Sequence, residues 1–299
     1  GPVSFRMNEQ TAVNNYFMED IDMKNHTINQ KAQEEFDGFV SILKSKGVNV
    51  IVVEDTLEPD TPDSIFPNNW ISFHSSGTVA VYPMYAENRR NERREDILET
   101  LEENGYKIND VIDYTSAEDE GVFLEGTGSI LLDRVNKKAY CALSERADED
   151  LFIEFCEDFD CFPVIFTANQ SVDGKRLPIY HTNVMMALAE DFAIVCSDSI
   201  DDKKERKNVL DHLKRDGREI IAITEKQMHH FAGNMLQVLG AENKRFMVMS
   251  SAAYKSLNSD QIKKIEKYCA IIHSSLDTIE TCGGGSARCM MAEVFLPKS

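Results

Sequence analysis

The chain has 299 residues, 42% of them hydrophobic, which is enough for one large domain or two small ones around a substantial core. Its formal net charge of −19 argues against nucleic acid as a partner, because binding phosphates needs clustered Lys and Arg. No run approaches the roughly 18 apolar residues of a membrane span, and no basic-then-apolar signal opens the sequence, so a soluble, cytoplasmic protein without a membrane partner is expected.

Gly1 and Pro2 read as the remnant of a cleaved tag, which leaves a single domain over residues 3–299. Helical periodicity then recurs near 27–46, 91–104, 147–158, 202–216 and 258–269, at intervals of about 55 residues. In the first of these, Ile28, Ala32, Phe36, Phe39, Val40 and Leu43 fall on one face and Gly47 supplies the stop. The helices lead into short β-rich runs, among them "VNVIVVE" (48–54), "CFPVIF" (161–166), "EIIAIT" (219–224) and "AIIHS" (270–274). Apolar pairs of runs split by polar turns, such as "SILLDRVNKKAYCALS" and "NVMMALAEDFAIVCS", read as hairpins.

A unit of helix, strand, loop and hairpin cannot bury its faces alone. Five such units are therefore expected to close into a ring with strands toward the axis and helices outside. An ordinary doubly wound sheet would give single strands between helices, without a hairpin in every unit.

One residue stands where each loop enters its hairpin: Asn69, Glu125, His181, Asn234 and Cys289. Equivalent positions in a ring lie at equivalent distances from its axis, so these five side chains are expected to converge. Their chemistry is limited. Cys289 is the only good nucleophile, His181 the natural acid and base, and Glu125 can orient or charge the imidazole. The segment "TCGGGSARCMM" around Cys289 could by itself be a phosphate cradle, half of a metal or disulfide site, or a loop presenting a thiolate. It lacks the strand, GxxxxGK[ST] turn and helix of a phosphate loop. Cys282 lies too far along a flexible loop to join Cys289, His181 and Glu125 in a zinc site, and seven scattered cysteines show no short paired spacings. No metal and no cofactor are expected.

With "FRMNEQTAVNNYF", "PDSIFPNNW", "NRRNE", "FLEGTGS", "LSERAD", "YHTNVMM", "GNMLQ" and "CGGGSARCMMAE", the chain resembles the guanidino-modifying, or amidinotransferase, superfamily of arginine deiminases, dimethylarginine dimethylaminohydrolases and arginine dihydrolases, and most its citrulline-utilisation hydrolase branch. The resemblance implies a five-bladed, pseudo-symmetric α/β propeller and a central Cys-His-Glu site in which Cys289 attacks a guanidino or ureido carbon and forms a covalent intermediate. It places Arg146 and Arg90 on the substrate α-carboxylate, with Phe66, Asn69, Asn183 and Asn234 also around a small amino-acid substrate. The sequence has Asn69 and Asn183 where deiminases carry acids. A neutral amide can donate to a carbonyl, which suits citrulline, or an arginine dihydrolase that goes on to ornithine. Transfer of the amidino group to an amine, a deiminase-type hydrolysis of arginine or dimethylarginine, a non-catalytic binding role and a homo-oligomeric state are left open.

Overall fold

The computed structural model describes all residues, 1–299. Four three-stranded sheets of one topology follow each other along the chain. They contain β1 (Ile71–Phe73), β2 (Thr78–Val81) and β3 (Asp110–Asp113); β4 (Ile130–Asp133), β5 (Lys138–Ala142) and β6 (Phe162–Phe166); β9 (Met186–Leu188), β10 (Phe192–Val195) and β11 (Glu219–Ala222); and β12 (Leu236–Leu239), β13 (Arg245–Ser250) and β14 (Ala270–Ser274). In each sheet the first two strands form an antiparallel hairpin and the third returns parallel to the second. A parallel return needs a crossover, and helices Asp96–Glu103, Glu149–Asp158, Lys203–Arg215 and Ser259–Glu266 supply it. A separate hairpin, β7 (Asn169–Val172) and β8 (Lys175–Pro178), turns at Asp173 and Gly174, both at positive φ.

The structural unit is therefore hairpin, helix, strand: each strand after a helix pairs with the hairpin before it, where the sequence pattern grouped it with the hairpin behind. This phase explains a correction. Residues 48–54, expected as a strand after the first helix, form none, because no hairpin precedes them. Val48 and Val50 pack instead into an apolar cluster with Met290 and Met291, and Ile51 into one with Val294 and Leu296. Single bridges, Phe73 to Val294 and Tyr106 to Lys298, are the only ladder contacts of the C-terminal segment. Gly1, set aside as a remnant, is held in place: its ammonium donates to the Val53 carbonyl at 2.8 Å.

The helices follow from local rules. Helix Asn25–Ser45 buries Ile28, Ala32, Phe39 and Leu43 along one stripe, each worth about 1.5–3 kcal/mol for the larger side chains, and Gly47 at φ +81 ends it. Asp202 caps the next long helix by accepting from the Lys204 and Glu205 amides. No helix is long and apolar enough to cross a membrane.

A short turn precedes the first strand of every sheet, and one more precedes the C-terminal segment. All five share a backbone bond from residue i+3 to the carbonyl of residue i: Asn69 to Phe66, Gly128 to Glu125, Val184 to His181, Asn234 to Phe231 and Met290 to Ala287. These turns touch in sequence around a ring. Thr127 Oγ1 donates to the Asn68 carbonyl at 3.4 Å, Thr182 Oγ1 to the Ser129 carbonyl at 2.5 Å, and Asn234 Nδ2 to the Asn183 carbonyl at 2.9 Å. The Arg288 amide donates to Asn234 Oδ1 at 3.0 Å, and the turn 288–290 packs back on 67–69. The approach is close enough to need glycine: a Cβ at Gly126, whose φ is +50, would lie 2.2 Å from the Asn68 carbonyl oxygen.

Candidate active site

The ring of turns walls one end of a narrow pocket. Cys289, His181, Asn69, Phe66 and Arg146 line it, together with Asp63, Arg89 and the backbone of Gly283, Gly284 and Gly285. Sequence register treated Asn69, Glu125, His181, Asn234 and Cys289 as equivalents. The turns show that they are not: Glu125 and His181 are the first residue of their turns, Cys289 the third, and Asn69 and Asn234 the fourth. They meet because a one-turn 3₁₀ segment directs more than one of its side chains toward the ring centre.

Glu125 stands behind His181 and accepts from the ring Nε2 at 2.7 Å, while its second oxygen accepts the Tyr85 amide at 2.9 Å. Arg146 Nη1 lies 3.5 Å from the same carboxylate. Burial alone would raise the Glu125 pKa, but Arg146, the His181 bond and Arg89 outweigh it and hold the group at about 2. Burial pushes His181 down to about 4 against the pull of Glu125. The resting pair is thus a carboxylate and a neutral imidazole whose Nε2 proton points at Glu125, leaving Nδ1, which has no protein partner, as the free base.

Cys289 is buried, and two amides touch its sulfur: Asn234 Nδ2 at 3.3 Å and Asn183 Nδ2 at 3.5 Å. Both asparagines approach from behind the thiol and do not line this cavity.

Asn69 is oriented by Arg89, whose Nη1 donates to Oδ1 at 2.7 Å. Its Nδ2 therefore points away, toward Asn68 Oδ1 at 3.0 Å and the Gly128 and His181 side of the site. Arg89 is fixed in turn by a bidentate pair with Glu92, at 2.8 and 3.0 Å.

The resemblance gave the second carboxylate contact to Arg90, which does not line this cavity, whereas Arg89 does. Residues 87–92 form a 3₁₀ helix, in which neighbouring side chains diverge and residues i and i+3 eclipse. Arg89 and Glu92 face inward together, whereas Arg90 turns out to Glu118 at 2.5 Å and to the Met84 carbonyl. Arg146 is nearly inaccessible, with Nε bonded to Asn14 Oδ1 at 2.9 Å and Nη2 to the Thr11 carbonyl at 2.9 Å; Nη1 is its least committed corner.

Asp63 was overlooked in the sequence. It is fully buried on the cavity wall; Oδ2 accepts from Asn8 at 2.9 Å and Thr11 at 3.3 Å, while Oδ1 has no partner. A buried carboxylate oxygen left open on a cavity asks for a cationic ligand. Its only signal was its place in "PDSIFPNNW", three residues before Phe66. The glycine run has a steric role: a Cβ at Gly283 or Gly285 would meet the Phe66 ring at 2.9 Å, and the Gly284 carbonyl accepts Tyr180 Oη at 2.5 Å and Asn15 Nδ2 at 3.2 Å. Cys282 is buried in the apolar cluster beneath this loop.

The family profile described as N,N dimethylarginine dimethylhydrolase, eukaryotic, matches residues 1–296. No curated protein sequence matches the chain. Among solved structures, apo ArgZ, an arginine dihydrolase from the ornithine-ammonia cycle in Cyanobacteria, aligns with a TM-score of 0.74 and 18% identity over 100% of this chain and 40% of its own. The chain thus spans less than half of that protein. A variant of the N-terminal domain of ArgZ, covalently bound to a reaction intermediate, aligns with a TM-score of 0.72 and 18% identity over 99% of this chain and 97% of its own. A dimethylarginine dimethylaminohydrolase adduct with 4-chloro-2-hydroxymethylpyridine aligns with a TM-score of 0.59 and 17% identity over 88% and 90%. At such identities the structures establish a shared α/β fold, and the family profile adds membership. The chain belongs to the N,N-dimethylarginine dimethylhydrolase family.

Proposed function

We propose that this protein hydrolyses the guanidino or ureido carbon of an arginine- or citrulline-type amino acid through a covalent adduct on Cys289, with conversion of citrulline or arginine to ornithine favoured. The observation that carries the reading is one cavity lined by the thiol, the Glu125-backed His181, the unpartnered Asp63 oxygen and two arginines. Asp63 takes the substrate ammonium, and Arg146 Nη1 the carboxylate. The acceptance of both ends of an amino acid in a small cavity directs the side-chain terminus to Cys289.

In the first step, His181 Nδ1 takes the Cys289 thiol proton as Sγ bonds to the planar carbon, and the imidazolium delivers that proton to the nitrogen that departs as the C–N bond breaks. In the second, His181 takes a proton from water, the hydroxide attacks the same carbon, and the C–S bond breaks to regenerate the thiolate. Glu125 holds the imidazolium that forms transiently within each step. Asn69 Nδ2, aimed by Arg89, donates to the oxygen of a ureido group. The arginine dihydrolase described for ArgZ is the solved relative whose activity agrees with this reading.

The four repeated units and the ring of five turns also support the propeller reading. The fifth blade would be assembled from both chain ends, with helix Asn25–Ser45 and residues 48–54 beside the segment after Cys289.

Incubation with arginine, citrulline and dimethylarginine, followed by assays for ammonia, ornithine and citrulline, tests the substrate. Ornithine from citrulline, absent with Cys289→Ala, is the expected result. Silence on all three substrates would reject the assignment, and a new guanidino product on adding glycine or ornithine would identify a transferase instead.

A further inference from the structure

A second cavity lies on the opposite side of the ring of turns, between β4, β9 and the start of β12. Seven of its twelve lining residues are hydrophobic, and five polar side chains reach it: Thr127, Asn183, Arg134, Arg288 and Glu293. Arg288 Nη2 is paired with Glu293 at 2.8 Å, and Nη1 donates to the Met291 carbonyl. Arg134 has no carboxylate within ion-pair distance. Its Nη1 lies 3.2 Å from His74 Nδ1, and its guanidinium sits 4.1 Å over the Phe295 ring.

His74 supplies no counter-charge, since burial and Arg134 push it down to about 3 and its Nε2 is occupied by Ser72 at 2.7 Å. Burial likewise pushes Arg134 below its ordinary value, with Glu293 pulling the other way. Two arginines against one glutamate leave a positive charge in excess, in a chain whose net charge is −19. A guanidinium has five donor hydrogens, and Arg134 directs one at an imidazole, which leaves the others without a protein acceptor.

We propose that this rear cavity binds a small monovalent anion of carboxylate size, held by Arg134 and Arg288 with Asn183 as a further donor. A planar carboxylate matches the fork of a guanidinium, and the apolar walls accept its short carbon chain. The site shares its wall with the nucleophile: Asn183 touches the Cys289 sulfur, and Arg288 precedes Cys289 in one turn. It is separate from the arginines of the front cavity and does not depend on the substrate proposed for that side.

Acetate titrated calorimetrically into the full chain, and bromide soaked into crystals and located by anomalous scattering, test the site. A bromide peak within about 3.5 Å of the Arg134 guanidinium is expected. Saturable acetate binding should weaken at least about tenfold in Arg134→Gln and be retained within about threefold in Arg134→Lys. Unchanged labelling of Cys289 by a haloacetamidine reports that each variant is folded. Bromide only in the front cavity, no saturable acetate binding, or equal acetate affinity in folded Arg134→Gln would overturn the proposal; if Arg134→Gln does not fold, the bromide position and Arg134→Lys decide it.

Discussion

At the scale of single residues, the site depends on how one side chain fixes the next. Arg89 occupies Asn69 Oδ1 and so leaves an N–H donor for the ligand. In Asn69→Asp the bond to Arg89 survives but the donor is lost and a negative charge appears. The expected outcome is a kcat/KM for citrulline at least about tenfold lower, with arginine turnover retained, since an unpaired carbonyl costs about 1–3 kcal/mol. Equal losses on both substrates would show that position 69 does not read the difference.

The His181–Glu125 pair predicts an acid limit to stability. His181 titrates near 4 in the folded protein, below its ordinary 6.5, so between those values the unfolded chain binds a proton that the native state refuses. Stability is complete above about pH 6.5 and falls as pH drops toward 4. Glu125, near 2 instead of 4.5, adds a second loss as pH falls from 4.5 toward 2. Melting temperatures from pH 7 to 4 should decline less steeply in His181→Gln than in wild type; parallel curves would mean that this histidine does not govern the acid limit.

At the scale of elements, the tight ring of turns carries its own prediction. Gly126→Ala places a methyl 2.2 Å from a backbone oxygen at positive φ, and a loss of roughly 2–4 kcal/mol in urea unfolding is expected. Gly121→Ala, at φ +68 with nothing within 4 Å, isolates the conformational part and should lose only about 1–2 kcal/mol. Similar losses at both positions would show that the turns can spread apart.

Most elements were legible before their arrangement was. Helices and hairpins follow from periodicity and from turns such as "RVNKK", because those signals are local. Strand β3, "DVID", carried too little apolar pattern to be noticed, and β7 and β8 were hidden in a polar stretch although Asp173-Gly174 marks their turn. The pairing of each strand with the hairpin before it is a long-range fact. So is the lack of a ladder at 48–54, whose apolar residues satisfy a strand pattern but meet side chains, not a hairpin edge.

At the scale of the whole molecule, 51 acidic against 32 basic residues repel one another in the compact state. Raising NaCl from about 0.01 to about 0.1 M shortens the screening length from about 30 to about 10 Å. The melting temperature should rise by a few degrees over that range, and a flat response would mean that local pairing already balances the charge.

The sequence by itself determined the α/β class, the recurring unit and the residue types able to perform the chemistry, since each is written in local order and spacing. Its register brought Asn69, Glu125, His181, Asn234 and Cys289 onto five related turns. Only the tertiary structure decided which turn position each one holds, that Arg89 and not Arg90 enters the cavity, and that Asp63 stands open beside them. Those outcomes depend on a 120° rotation per residue in a 3₁₀ helix and on contacts between segments more than a hundred residues apart, such as Arg146 with Thr11 and Asn14. Spacing along a chain records neither.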